Sequence, residues 1–167
     1  MKMVTTRYEV LHEKPTVRAF IFDDARKLLL IKRGQGFEEG KWCVPGGKLN
    51  HFFEDEYEAI RREVMEEVGL RYTPVLFGVG YEEDGIRFAY PTSYFGGALE
   101  GVPHVDGVEA VDFRLSTLED VLISPDLAFN KGKSLKDVCK AILSLELMPL
   151  LFSSGHNMGT DGSNVYK

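Results

Sequence analysis

Cysteine is almost missing from this chain. Cys43 and Cys139 are the only two in 167 residues, and their wide separation builds neither a disulfide framework nor a zinc spacing. Two free thiols in a reducing compartment, each packed in a core, is the reading that follows. Basic charge is in deficit as well: 20 Lys and Arg face 26 Asp and Glu, for a net charge of −6. The cations are scattered, so no basic field exists to hold a nucleic-acid polymer. Long apolar runs are also lacking. Nothing approaches the roughly 20 residues of a membrane span, and the opening MKMVTTRYEVLHEK has no apolar leader core. No internal repeat is found. What is present, 44% hydrophobic and 28% charged residues, suits one α/β domain with a full core in a cytoplasmic protein handling small molecules.

The domain is expected to span residues 1–152. Beyond it SSGHNMGTDGSNVYK, residues 153–167, is small, polar and without periodicity, which reads as a flexible tail. Val17–Phe22 and Leu28–Arg33, joined by an Asp23-Asp24 turn, read as a hairpin, and Trp42–Pro45 as a short strand. Thr73–Tyr81 and Arg87–Phe95 read as a second hairpin, and Ala110–Arg114 as a strand. Ser116-Thr117-Leu118-Glu119 has the form of a capping box, and Ser134–Leu145 reads as a closing helix. Strands, helix, strands and helices in that order predict a mixed β-sheet covered on both faces.

The run GGKLNHFFEDEYEAIRREVMEEVGL, Gly46 to Leu70, carries the chemistry. Read as a helix over residues 54–68, it puts Tyr57, Ile60, Val64 and Val68 on one apolar stripe, with Gly69 as a left-handed stop. Glu63, Glu66 and Glu67 then share an adjoining face, close enough for their oxygens to reach one point. Such crowding costs about 0.2–0.5 kcal/mol per like-charged pair, and acids in the last turn also oppose the macrodipole. A solvated acidic face is the plain alternative. A hard divalent cation, Mg²⁺ or Mn²⁺, would reverse both penalties and accept phosphate oxygens as further ligands.

This segment resembles the signature of the Nudix hydrolases. From Glu54 onward Arg62, Glu63, Val64, Glu66, Glu67, Gly69 and Leu70 all stand in register with that signature. Six residues rather than five separate Gly47 from Glu54, so the loop departs from the pattern. The resemblance implies an α/β/α sandwich and a divalent ion held by Glu63, Glu66, Glu67 and the carbonyl of Gly47. It also implies Glu63 as general base with Arg62 orienting the carboxylates, and Gly46, Glu54 and Gly69 as structural parts of the motif. Because of the added residue, Gly46 or Lys48 could take the role of Gly47. From helix geometry, Glu54 sits half a circumference from Glu63, which favours a role at the helix N-terminus.

Further candidates lie outside the motif. Arg33, at a strand end beside the glycine turn, could clamp a phosphate. Asp106 and Glu109 could supply another ligand or base from a loop, as many family members do, or could be plain loop acids. Tyr81, Phe88, Tyr90 and Tyr94 belong to strands flanking the cleft, where one could stack on a base, though core packing accounts for most of them. His51 in the lengthened loop could touch substrate.

The resemblance implies a Mg²⁺-dependent pyrophosphohydrolase acting on a nucleoside diphosphate linked to another moiety. Asp126-Leu127-Ala128-Phe129-Asn130-Lys131 is similar to a Leu-Ala-Phe-Asp-His stretch of members acting on ADP-ribose or nucleotide sugars. A nucleoside triphosphate pyrophosphatase is the alternative, and a nucleotide-sensing domain without catalysis is a third reading. Isomerases of this fold need a cysteine in a context that Cys43 does not recreate. Many relatives are homodimers, and no interface can be located from this sequence.

Overall fold

The computed structural model describes residues 7–50 and 53–152. The tail expectation and the His51 expectation lie outside the described residues. Among the described residues eight strands make one hydrogen-bonded network: β1 (Glu9–Val10), β2 (Thr16–Phe22), β3 (Leu28–Arg33), β4 (Trp42–Cys43), β5 (Gly46–Lys48), β6 (Val75–Glu83), β7 (Phe88–Ala98) and β8 (Ala110–Ser116). The helices are α1 (Glu56–Val68), α2 (Leu118–Ile123), α3 (Phe129–Ser144) and α4 (Met148–Phe152).

Strand β2 is the axis of the sheet, and all seven of its residues are buried. It runs parallel to β7 from Thr16↔Thr92 to Phe22↔Ala98 and antiparallel to β5. The expected hairpin of β2 with β3 exists only at its tip, Phe22↔Leu28. Beyond that turn the strands part company, because β3 pairs with β8 and β4 instead. The second hairpin, β6 with β7, is complete, but its strands run two to three residues further than the pattern indicated.

Alternation along β2 and β3 sorts the core into two layers, as a period-2 pleat requires. Val17, Ala19, Ile21, Leu29 and Ile31 face α1, meeting Ala59, Ile60, Val64 and Val68. Phe20, Phe22, Leu28 and Leu30 face the other way, onto α2, α3 and α4 through Val121, Leu135, Cys139, Ile142 and Leu151. The α/β/α sandwich with a mixed β-sheet is therefore the observed fold. Both cysteines are buried and free, one in each layer.

Three local readings need correction. The helix α1 starts at Glu56, two residues late, because Asp55 is its N-cap and forms a capping box with Glu58. Glu54 thus lies just outside the helix, one residue before its cap. Tyr57 is at the edge of the apolar stripe, partly exposed and edge-on to Phe95, while Ala59 takes the deeper place. At α2 the cap is Thr117, accepting from the Asp120 N–H at 3.1 Å, so the Ser116–Glu119 box is not formed. Gly69 is the left-handed stop of α1, at φ 65°. Strand β1 and helix α4 were not anticipated, since two extended residues and five apolar ones are too short to show a period.

Candidate active site

Helix α1 turns Glu63 and Glu67 inward, both buried, and leaves the Glu66 side chain at the rim, about half exposed. Strand β5 passes directly over them. The Gly46 N–H donates to Glu67 Oε2 at 2.8 Å. A Cβ at position 47 would overlap the Glu63 carboxylate, so only glycine allows this approach. The two outer members of that turn have committed carbonyls: Gly46 O accepts from Arg18 Nη1 at 2.9 Å, and Lys48 O from Arg62 Nη2 at 3.1 Å.

Arg62 gathers the acids. Its Nε donates to Glu54 Oε1 at 2.6 Å, and its Nη1 donates to Glu63 Oε1 at 2.8 Å and to Glu66 Oε2 at 3.1 Å. Glu54 also accepts from the Asn50 N–H at 2.7 Å, pinning the lengthened loop to the helix. Glu54 therefore links Arg62 to the loop. One guanidinium among three carboxylates leaves negative charge in excess, and its own pKa is raised, first by the bond to Glu54.

Burial raises the pKa of both inward acids. For Glu67 it reaches about 8, with the Gly46 N–H opposing and Glu63 and Glu109 adding to the rise. For Glu63 burial again dominates, opposed by Arg62. The three glutamates do not meet at one point. Among the described residues no three His, Cys, Asp or Glu side chains stand together at metal-ligand spacing, and oxygens of all three glutamates accept hydrogen bonds from Arg62 or the Gly46 N–H. Two buried, proton-hungry carboxylates backed by a third at the rim nevertheless form a hard oxygen donor set, and that set fits Mg²⁺ or Mn²⁺.

The glycine turn opens into a cleft of about 360 Å³ whose walls include Arg18, Arg33, Lys48, Glu82, Tyr90 and Phe129. Arg33 reaches it as expected, half-buried, with Nε donating to Phe37 O at 2.9 Å. Tyr90 also reaches it, with the Lys48 ammonium 5.1 Å from its ring centroid. Tyr94 is core, Tyr81 lines a separate groove against α3, and Phe88 is half-buried below Arg87. Asp106 is bonded to its own loop. Its carboxylate accepts from the N–H groups of Val108, Glu109 and Ala110 and ties its own loop, with its pKa lowered by those bonds. Glu109 is exposed, near enough to Glu67 to raise that pKa.

Three cleft residues escaped the sequence reading. Arg18 is buried and pairs with Glu82 through Nε and Nη2, with the two Nε contacts at 3.1 and 3.0 Å. An arginine inside the otherwise nonionic strand TVRAFIF was the available signal. Phe129 had none. It stands on a run of left-handed residues, Phe129 to Gly132, three of them with side chains, at about 1–2 kcal/mol each.

The model of the NUDIX domain family matches residues 12–138. The chain belongs to the Nudix hydrolase family, the class of pyrophosphohydrolases that its signature resembles. Among solved structures, a MutT protein from Methanosarcina mazei Go1 is 26% identical with a TM-score of 0.69, covering 81% of this chain and 99% of that one. A MutT NUDIX hydrolase from Burkholderia pseudomallei is 25% identical with a TM-score of 0.63, covering 78% and 98%. The 8-oxo-dGDP phosphatase NUDT18 of Danio rerio is 29% identical over 105 residues, 62% of this chain and 31% of that protein. The chain thus spans about a third of that curated relative's length. No helix among the described residues is long and apolar enough to cross a membrane.

Proposed function

We propose that this protein hydrolyses the phosphoric anhydride of a nucleoside diphosphate linked to another moiety, with ADP-ribose or a nucleotide sugar favoured, using Mg²⁺ or Mn²⁺. The observation that carries the reading is the pair Glu63 and Glu67, buried against Gly46 and Gly47, two glycines that also line a cleft together with Arg33 and Lys48. Glu63, Glu66, Glu67 and the Gly47 carbonyl would hold the ion, which when bound neutralises charge on the phosphates and lowers the pKa of water.

The protein's own groups do the rest. Arg62 holds Glu54, Glu63 and Glu66 in place, so a carboxylate of the Glu63 type stands ready to take a proton from the attacking water. Arg33 offers a fork to a phosphoryl group, Lys48 adds a point charge, and Tyr90 gives the base a face to stack on. The segment Asp126–Lys131 supports a substrate larger than a mononucleotide, since it forms one wall of the cleft through Phe129. Residues up to 152 would suffice for this, in a cytoplasmic protein.

A second reading has its own support. The Danio rerio relative is an 8-oxo-dGDP phosphatase, which suits a simple nucleotide substrate and stands beside the nucleoside triphosphate alternative that the signature implies. The test is turnover of ADP-ribose, nucleotide sugars and nucleoside di- and triphosphates in Mg²⁺, with products resolved by chromatography. AMP and ribose phosphate support the first reading. Loss of phosphate or pyrophosphate from a simple nucleotide supports the second, and tight binding without any product removes both in favour of a sensor.

A further inference from the structure

Arg33 is the cleft guanidinium with unspent hydrogen-bonding capacity. Among the described residues it has no carboxylate partner, whereas Arg18 beside it is committed to Glu82 and Gly46 O. What fixes Arg33 is one bond to Phe37 O and the ring of Phe129, whose centroid lies 4.9 Å from its guanidinium carbon. The same ring lies 4.7 Å from that of Arg18. Two like charges share one aromatic ring, and its negative π face attracts both.

The backbone is bent to put the ring there. Phe129, Asn130 and Lys131 have φ of 58°, 55° and 55°, and Gly132 continues the turn at 73°. An ordinary helix start would have carried the ring elsewhere. The strain is held by bonds around it: Phe129 N–H to Glu38 Oε2, Gly132 N–H to Ala128 O, and Asn130 Nδ2 to Glu83 Oε2. Glu38 and Phe37 belong to one loop, so the circuit closes on itself, running from Arg33 to Phe37, Glu38, Phe129 and back to Arg33. Strain over-determined in this way, beside a reaction cleft, is the mark of a functional constraint.

We propose that Phe129 is a positioning residue for phosphate binding: its ring, presented by the left-handed turn, holds the Arg33 guanidinium at the angle that meets the substrate's diphosphate. The kinetic part rests on the hydrolase reading above, and the binding part does not. Leucine in its place keeps apolar bulk but loses the π face, and Arg33 then swings freely.

The experiment measures binding of inorganic pyrophosphate in Mg²⁺ by calorimetry, and kcat and KM on whichever substrate turns over. The variants are Phe129→Leu, Phe129→Tyr, Arg33→Gln and the Phe129→Leu/Arg33→Gln pair. Phe129→Leu is expected to weaken pyrophosphate and raise KM by roughly 2- to 30-fold, the range of a cation–π contact, with kcat little moved. Phe129→Tyr recovers most of that loss. With Arg33→Gln already present, Phe129→Leu costs nothing further.

An additive double variant, an equal fall in kcat, or wild-type protein that does not bind pyrophosphate overturns the proposal. Should Phe129→Leu fail to fold, Glu38→Ala releases the turn instead and must shift pyrophosphate binding in the same direction. A protein that turns over no nucleotide yet shows the coupled binding pattern would sink the hydrolase reading and leave this one standing.

Discussion

Two arginines organise the cleft, and they are built on opposite principles. Arg18 is buried in the middle of the sheet and matched to one carboxylate, Glu82, also buried, with its remaining nitrogen on a carbonyl. Charge and hydrogen bonds balance there. Arg62 is part-exposed and shared among Glu54, Glu63 and Glu66, with Glu67 behind them bonded to the Gly46 N–H rather than to a cation. A balanced pair has no reason to recruit anything. An unbalanced cluster is stable only to the extent that something positive completes it, and on the proposed function that imbalance sets the α1 cluster apart from the architectural ion pair.

The widest separation between the two centres should come from neutralising the inward acids. Glu67→Gln or Glu63→Gln removes a hard anionic ligand while keeping shape and the bond to Gly46 or Arg62. Turnover is expected to fall by about two orders of magnitude or more, while thermal unfolding without metal stays unchanged or moves upward. Glu66→Gln, at the rim, should also lower turnover, by less than either. Wild-type rates for Glu67→Gln in a Mg²⁺ assay would end the assignment of this face as the centre.

At Arg18 the expectation reverses, with stability as the quantity that moves. Glu82→Ala leaves a buried guanidinium alone, which costs about 3–5 kcal/mol and is visible as a lower midpoint in denaturant. Replacing both partners together, Arg18→Met with Glu82→Leu, should recover most of that loss, because well-packed apolar groups avoid the desolvation penalty altogether. A double variant as unstable as the single one would mean that Arg18 matters through Gly46 O and Phe129 rather than through its ion pair.

The contrast between these centres also marks how far the sequence could be read. The acidic face of α1, its stop at Gly69, the glycine turn and the sandwich were legible because each rests on a local period or a local backbone demand. Glu54, Glu82 and Phe129 were not. Glu54 meets Arg62 only because the helix begins two residues late, and Glu82 meets Arg18 across a separation of 64 residues through β7. The position of Phe129 depends on a left-handed run for which Asn130 alone among Phe-Asn-Lys has a local preference. Pairings set by register between distant strands, and backbone states paid for by tertiary bonds, leave no trace in a window of a dozen residues.

The smallest expected effect separates two acids that were both candidates for the site. Asp106 accepts three backbone N–H bonds, so its folded pKa is below its ordinary value. Its contribution to stability is present above that ordinary value, near 4, and disappears as pH falls through the folded one. Glu67 is the reverse: burial lifts its pKa to about 8, so the fold holds a proton there that the unfolded chain has released. The advantage of the folded state is full below about pH 4.5 and is lost as pH rises toward 8. In metal-free buffer, Asp106→Ala should therefore lower the unfolding temperature modestly at pH 7 and by less near pH 3. Glu67→Gln should raise it relative to wild type as pH climbs from 5 to 8, and Mg²⁺ should cancel that gap by stabilising wild type alone. Parallel pH profiles for the two variants would show that these acids differ in place but not in kind, and the imbalance at α1 would lose its physical basis.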